Sequence, residues 1–247
     1  MKRKLELLAL ATVIFAGYAP CMSGAEDFHK SYPLGAHGHI LIRNVSGDVK
    51  VSSYAGETVV VDAYKVGRDR DLLRIEDQSN ADSISLRVTY PERSNCDASV
   101  NFEVRVPQGV EYNFDRLASV SGNVLIASVR GRLKAESVSG NVVVKDVSGM
   151  VNASSVSGNV DVEISRLEGT GEMKFSSVSG NVGVKAPSNL DADIDMSTVS
   201  GSLKTDFQIE VQERRYGPGR SARGRLGSGS SNLRITSVSG RVSLTHI

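Results

Sequence analysis

The chain has no tryptophan, and its 247 residues include only seven tyrosines and six phenylalanines. A core without large aromatics has to be built from Val, Ile, Leu and Ala, and a β-branched supply favours strands. The same shortage removes the platforms on which sugar-binding clefts are built, since residues 115–205 contain only Phe175 among the aromatics. Cysteine is scarcer still. Cys21 lies in the leader described below, which leaves Cys96 as the only other thiol and excludes an intrachain disulfide in the processed chain. Cys96 therefore reads as a bland, partly buried thiol. Charge of one sign is missing too: the formal net charge is +1, and residues 1–25 carry Lys2, Arg3 and Lys4 against Glu6, so without them it is about −1. A chain this neutral has no global field to recruit nucleic acid or a membrane.

Long hydrophobic runs are absent. The longest, Leu7 to Gly17, follows the basic Lys2-Arg3-Lys4 and precedes the small residues Ser23-Gly24-Ala25. It is too short to span a bilayer and has the layout of a signal peptide cleaved after Ala25. Residues 1–25 are read as that leader, and the protein as exported to the periplasm or cell surface. Lipidation at Cys21 would need an apolar-small-small triplet before it, and Tyr18-Ala19-Pro20 fits that poorly. No later segment is a transmembrane candidate.

What the sequence has in abundance is a repeat. SVSGNV at 119–124 returns at 137–142, 155–160 and 177–182. Glycines 122, 131, 140, 149 and 158 recur every nine residues, and the full hexapeptide every 18. Apolar residues fall two, four and seven places after each glycine, as in Val124, Ile126 and Val129. A step of two is a strand with one buried face. One such line cannot bury its own face, but stacked lines can. The spacing predicts an all-β, flattened β-solenoid (β-helix-like) with about 18 residues per coil and two short strands per coil. A β-sandwich would not repeat its turns so strictly. In this reading Gly47, Gly122, Gly140, Gly158, Gly180, Gly201 and Gly240 mark the corners, with glycine there to permit positive φ. Val120 and Val124 face inward, and Ser119, Ser121 and Asn123 form a polar edge.

Residues 26–118 carry longer, less regular strand-like stretches and read as irregular N-terminal coils; 119–247 is the regular VSG repeat. The exception is 210–230, a Gly/Ser-rich loop or insertion with Arg214, Arg215, Arg220, Arg223 and Arg225, which are candidate contacts for an anionic partner. The last segment, Arg241 to Ile247, reads as an uncapped edge. Either the Arg-rich insertion covers it or the protein self-associates through it.

The VSG-x-V motifs, the VPQG element at 106–109 and the closing GRLGSGSSNLRITSVSGRVSL (224–244) resemble the bacterial "putative adhesin" family of exported β-solenoid domains (LiaG-like), over roughly residues 35–247. The resemblance implies the fold and export. It brings no catalytic residues, ligand or cofactor, because that family has none assigned.

The residues themselves offer little chemistry. Glycan cleavage needs carboxylates gathered on one face. Glu136, Asp146, Asp161, Glu163, Glu168 and Glu172 occupy no common repeat position and alternate with Arg130, Arg132, Lys134, Lys145 and Lys174. A serine triad needs a histidine, and His29, His37, His39 and His246 all lie outside the repeat. His37 and His39 read as the solvent-facing edge of the first strand. Apart from Asp48, the corners lack the aspartates of a calcium β-roll. The expectation is a non-enzymatic, metal-free and cofactor-free envelope module, structural or adhesin-like. The alternatives are a glycan-processing enzyme on the same coil, betrayed by a concave face with two carboxylates and an aromatic, and a periplasmic accessory of an envelope stress system.

Overall fold

The structure, a computed structural model, describes residues 27–92, 96–213 and 219–247. The leader, Arg214 and Arg215 lie outside the described residues. The described chain is all β, with one turn of 3-10 helix at Arg70–Leu72. Its N-terminal strands are β1 (Phe28–Tyr32), β2 (His39–Arg43), β3 (Val49–Tyr54), β4 (Val59–Gly67), β5 (Arg74–Asp77), β6 (Ser83–Thr89) and β7 (Ala98–Pro107). The repeat supplies β8 (Glu111–Ser119), β9 (Val124–Ala127), β10 (Arg130–Ser137), β11 (Val142–Ser155), β12 (Val160–Arg166), β13 (Glu172–Ser177) and β14 (Val182–Ala186). Then come β15 (Ala192–Thr198), β16 (Leu203–Thr205), β17 (Glu210–Glu213), β18 (Arg220–Leu226), β19 (Ser231–Ser237) and β20 (Val242–His246).

The strands form two ladders. One runs β1–β4–β7–β3–β9–β11–β12–β14–β20–β16. The other runs β5–β6–β2–β8–β10–β11–β13–β19–β15–β18–β17. The first half of β11 belongs to one ladder and the second half to the other, so they are a single sheet folded on itself. Their inward side chains make one core. Within it Val49, Val124, Val142, Val160, Val182 and Val242 stand in register, each 0% exposed. Burying a valine contributes about 1.5–3 kcal/mol, so a column of identical β-branched residues at strand spacing replaces the missing aromatics as the source of stability.

Space and sequence order diverge at both ends. The β2–β3 pair lies between β6–β7 and β8–β9, although it precedes both in the chain. The β19–β20 pair lies between β13–β14 and β15–β16, although it follows both. The first and last coils of the chain are therefore interior coils of the stack. Arg241 to Ile247 is not the edge the sequence suggested, because β20 has a parallel partner on each side. The edges themselves are blunted. Antiparallel strands β4 and β1 cover β7, β5 covers β6, and β18 and β17 cover β15, while β16 is only three residues long. Covered and short edges deny a template to other chains.

The corner differs from its reading in the sequence in two ways. Among the SVSG glycines only Gly47 has positive φ. Gly122, Gly140, Gly158, Gly180, Gly240 and Gly201 are glycine because a Cβ there would lie 2.0–2.2 Å from the carbonyl oxygen of the corner glycine stacked against it. Successive backbones approach too closely for any side chain. The left-handed glycines, Gly131 and Gly149, sit at the opposite bend. Second, the serine before each valine faces inward. Ser119, Ser137, Ser155, Ser177 and Ser237 are buried, and their Oγ atoms donate to the carbonyls of Gly47, Gly122, Gly140, Gly158 and Gly180 at 2.8 Å. Asn123, Asn141, Asn159 and Asn181 form a second ladder, each Oδ1 accepting the next corner's N–H, ending on the amide of Arg241. The valine of VSG at these seven corners faces out, whereas Val147 of the VSG at 147–149 is buried.

At the N-terminal end one acid ties the two caps together. Asp77 on β5 accepts from Lys30 Nζ (2.5 Å) and Tyr32 Oη (3.0 Å) on β1, and from the Ser79 amide (3.0 Å). Burial alone would raise its pKa, but the bonds from Lys30, Ser79 and Tyr32 outweigh that and hold it at about 2. A depressed carboxylate stabilises the fold above its unfolded pKa of about 3.9, and that stability is lost as pH falls toward 2. Asp77→Asn is therefore expected to melt below the wild type at pH 7, with the gap closing between about pH 4 and pH 2. Thermal melts at a series of pH values check this; a gap that persists at pH 2 would contradict the ionic tie.

Candidate functional site

Seven valines occupy the outward corner position in stack order: Val45, Val120, Val138, Val156, Val178, Val238 and Val199. Each is 42–47% exposed. The order follows from backbone bonds: Ser121 N–H donates to Val45, Ser139 to Val120, Ser157 to Val138, Ser179 to Val156, Ser239 to Val178 and Ser200 to Val238. Six steps at strand spacing give an apolar ridge about 29 Å long. The serine after each valine lines its flank. Four of the other five hexapeptide positions have a task inside the fold: the first serine satisfies a carbonyl, the glycine admits a backbone, the asparagine bonds the next amide and the last valine fills the core. The outward valine has no such task. The signal was visible in the sequence as an invariant valine in all seven copies, but an inward orientation was assumed for it.

The described parts of the Arg-rich segment are two paired antiparallel strands, β17 and β18, not a loop. β18 lies antiparallel on β15, setting Arg225 opposite Asp193 and Arg223 opposite Asp195. Arg225 Nε and Nη2 donate to Asp193 at 2.6 and 2.9 Å, and Arg223 Nε reaches Asp195 at 3.5 Å. The hydrogen bond from Arg225 lowers the Asp193 pKa, and the same bond raises that of Arg225. Arg220 Nη1 donates to the Gly201 carbonyl. The described arginines are thus spaced along one strand and, at 223 and 225, already matched to carboxylates, rather than gathered into one cationic patch.

With these elements in place the chain can be compared with known proteins. Residues 33–245 match the model of the family described as Toastrack DUF4097. The chain belongs to the Toastrack family. Two solved structures are similar over 89% of the chain, each at 13% identity and a TM-score of 0.40. They are a "putative cell adhesion protein" from Clostridium sporogenes, covered over 98% of its length, and a "putative adhesin" from Bacteroides fragilis, covered over 96%. No curated protein matches the chain.

At the bend opposite the valine ridge this Toastrack chain has a polar crevice of about 380 Å³. Gly131 and Gly149 floor it, and His37, Glu111, Arg132 and Glu168 stand around it. His37 has a left-handed φ of 62°. Its Nδ1 lies 3.8 Å from Glu111 Oε2. Glu168 is held by Arg130 (3.3 Å) and Arg166 (3.7 Å). Tyr112 borders the crevice through its backbone, while its ring is 1% exposed and packs edge-on against Phe114 in the core. Two carboxylates do meet a concave face here, but each faces a basic partner and the aromatic ring is turned away. His39 lies on β2 and bonds Asp115 at 2.9 Å. Cys96 is free and half-buried against the core. Among the described residues no three of His, Cys, Asp and Glu are placed to hold a metal, and no helix is long and apolar enough to cross a membrane.

Proposed function

We propose that this Toastrack chain is a non-enzymatic, adhesin-like interaction module of the cell envelope, exported by the leader at 1–25 and built as a two-strand coil of about 18 residues. The observation that carries this is the valine–serine corner, presented at even spacing by seven coils. An apolar row repeated at even spacing suits binding of a partner with a matching repeat and does not converge on a reacting atom. Its neighbours named for adhesion fit the same reading. Beads coated with the processed chain (residues 26–247) are expected to adhere to cells or matrix protein well above albumin-coated beads. Adhesion equal to albumin, or release of reducing ends from polysaccharide by the protein, would sink the reading. The hairpin arginines act second to the ridge. Because exposed ion pairs contribute little, replacing Arg214, Arg215, Arg220, Arg223 and Arg225 by Ser is expected to change adhesion by no more than about twofold. A larger loss in the same bead assay would move the contact surface to the hairpin.

A further inference from the structure

We infer that the valine ridge is the contact surface for a second copy of this chain, paired side by side and antiparallel about a two-fold axis. The inference rests on the reading of the ridge as the contact surface, for which a second copy and an envelope partner compete.

The ridge calls for a partner with its own period. Its valines recur at strand spacing, about 4.8 Å, without interruption over about 29 Å. A helix or a flexible peptide does not hold side chains at that repeat along a straight line, whereas another stack of the same coils does. A two-fold interface is self-complementary, and a ridge of seven identical neutral side chains can be so by construction. Valines of one copy then pack beside valines of the other. The flanking Ser121, Ser139, Ser157, Ser179 and Ser239 are short and leave the two ridges free to approach.

The charges at the corner set the orientation. Across the seven copies of the five-residue corner, from Asn44–Asp48 to Thr198–Ser202, only two residues are charged: Asp48 near one end and Arg241 near the other. Both occupy the position held by asparagine in the copies between. Asp48 is half-buried and Arg241 exposed. A parallel pairing sets Asp48 against Asp48 and Arg241 against Arg241. An antiparallel pairing with Val45 of one copy beside Val238 of the other brings Asp48 to Arg241 at both ends of the contact. Its centre then falls between Val138 and Val156.

Size sets the strength. Seven half-exposed valines amount to about 450 Å², within the range of the largest apolar patch on a typical monomer. Two such stripes with their serine flanks bury about 1,200 Å², the lower end of specific interfaces. A contact at that end of the range is expected to be reversible, with its Kd set by the fit of the ridges rather than by their area.

Sedimentation equilibrium of the processed chain over about 1–500 µM tests this. The wild type is expected to pass from monomer to dimer. Val138→Ser with Val156→Ser, which removes four valines from the contact, is expected to weaken association at least a hundredfold with unchanged melting temperature. Arg241→Glu and Asp48→Lys should each weaken it about tenfold, and an equimolar mixture of the two should restore it by forming the heterodimer. If Asp48→Lys fails to fold, Asp48→Asn, the residue of the neighbouring coils, takes its place and should weaken the dimer by a few-fold. A wild type monomeric throughout, or a dimer indifferent to the valine changes, overturns the inference. Failure of the mixture to recover overturns the antiparallel register. Bead adhesion by a monomeric protein would leave the envelope role standing while removing this one.

Discussion

Gly140→Ala is expected to cost the fold about 4 kcal/mol or more, for one added methyl group on a half-exposed corner. The Cβ would stand 2.0 Å from the Gly122 carbonyl oxygen and 2.5 Å from its carbon. Those atoms are backbone, held by the parallel ladders on either side, so neither can yield without parting two coils. The clash also reaches the Ser137 hydroxyl, 3.0 Å away, whose hydrogen bond to Gly122 satisfies that carbonyl. Two other glycines separate the causes. Gly109 has positive φ but nothing within 4 Å of its Cβ, so Gly109→Ala should cost only the backbone term, about 1 kcal/mol. Gly35 has open space and an ordinary φ, so Gly35→Ala should lie within about 0.5 kcal/mol of the wild type. Denaturant midpoints of the three variants give the order directly. If Gly140→Ala behaved like Gly109→Ala, conformational freedom and not close approach would explain the corner.

That distinction marks where the sequence stopped being readable. Spacing alone was enough for an all-β chain with stacked lines, because periodic valines such as Val124 and Val142 have no other way to bury one face. The facing of the corner was not legible. Counting by twos from Val124 back to Val120 assigns them one side, but the chain turns between them and loses a place, so Ser119 goes in and Val120 out. The corner glycine was found by its recurrence, yet its cause lies in a residue a full coil away and cannot be seen locally. The hairpin was mistaken for a loop because Gly and Ser dominate 217–231, whereas what makes β18 a strand is the antiparallel register that sets Arg223 and Arg225 against Asp195 and Asp193. These aspartates precede their partners by 28 and 32 residues, with nothing in either segment to pair them. The ridge, the candidate site itself, was present as seven valines but hidden by that same assumption of inward facing.

The order of the coils was equally invisible, and it leads to an expectation that runs against deletion size. Removing residues 231–247 takes away β19 and β20, and with them the buried Leu233, Ile235, Val242 and Leu244. At about 1.5–3 kcal/mol each this approaches the whole stability of an ordinary domain. It also opens a slot in the middle of the stack, leaving β13 and β14 on one side, and β15 and β16 on the other, with unpaired parallel edges. This truncation should leave the C-terminal coils unfolded or aggregating. Removing residues 192–230 is the larger deletion and should be the milder one. Ala192 and Ser231 are partners in the β15–β19 ladder, so the excision joins Asp191 to a strand in the same register as the one removed. β19 then follows β14 through the existing turn at 187–191 and takes its present place on β13, with β20 on β14, as one more regular coil. Pairing on the far side of β19 and β20 is lost, so this variant should remain folded, with a cooperative melt and strand-type circular dichroism, while gaining a tendency to associate through the uncovered edge. Circular dichroism, melting and light scattering of the two deletions decide it. A folded truncation beside an unfolded excision would mean that the C-terminal coil is not held between its neighbours.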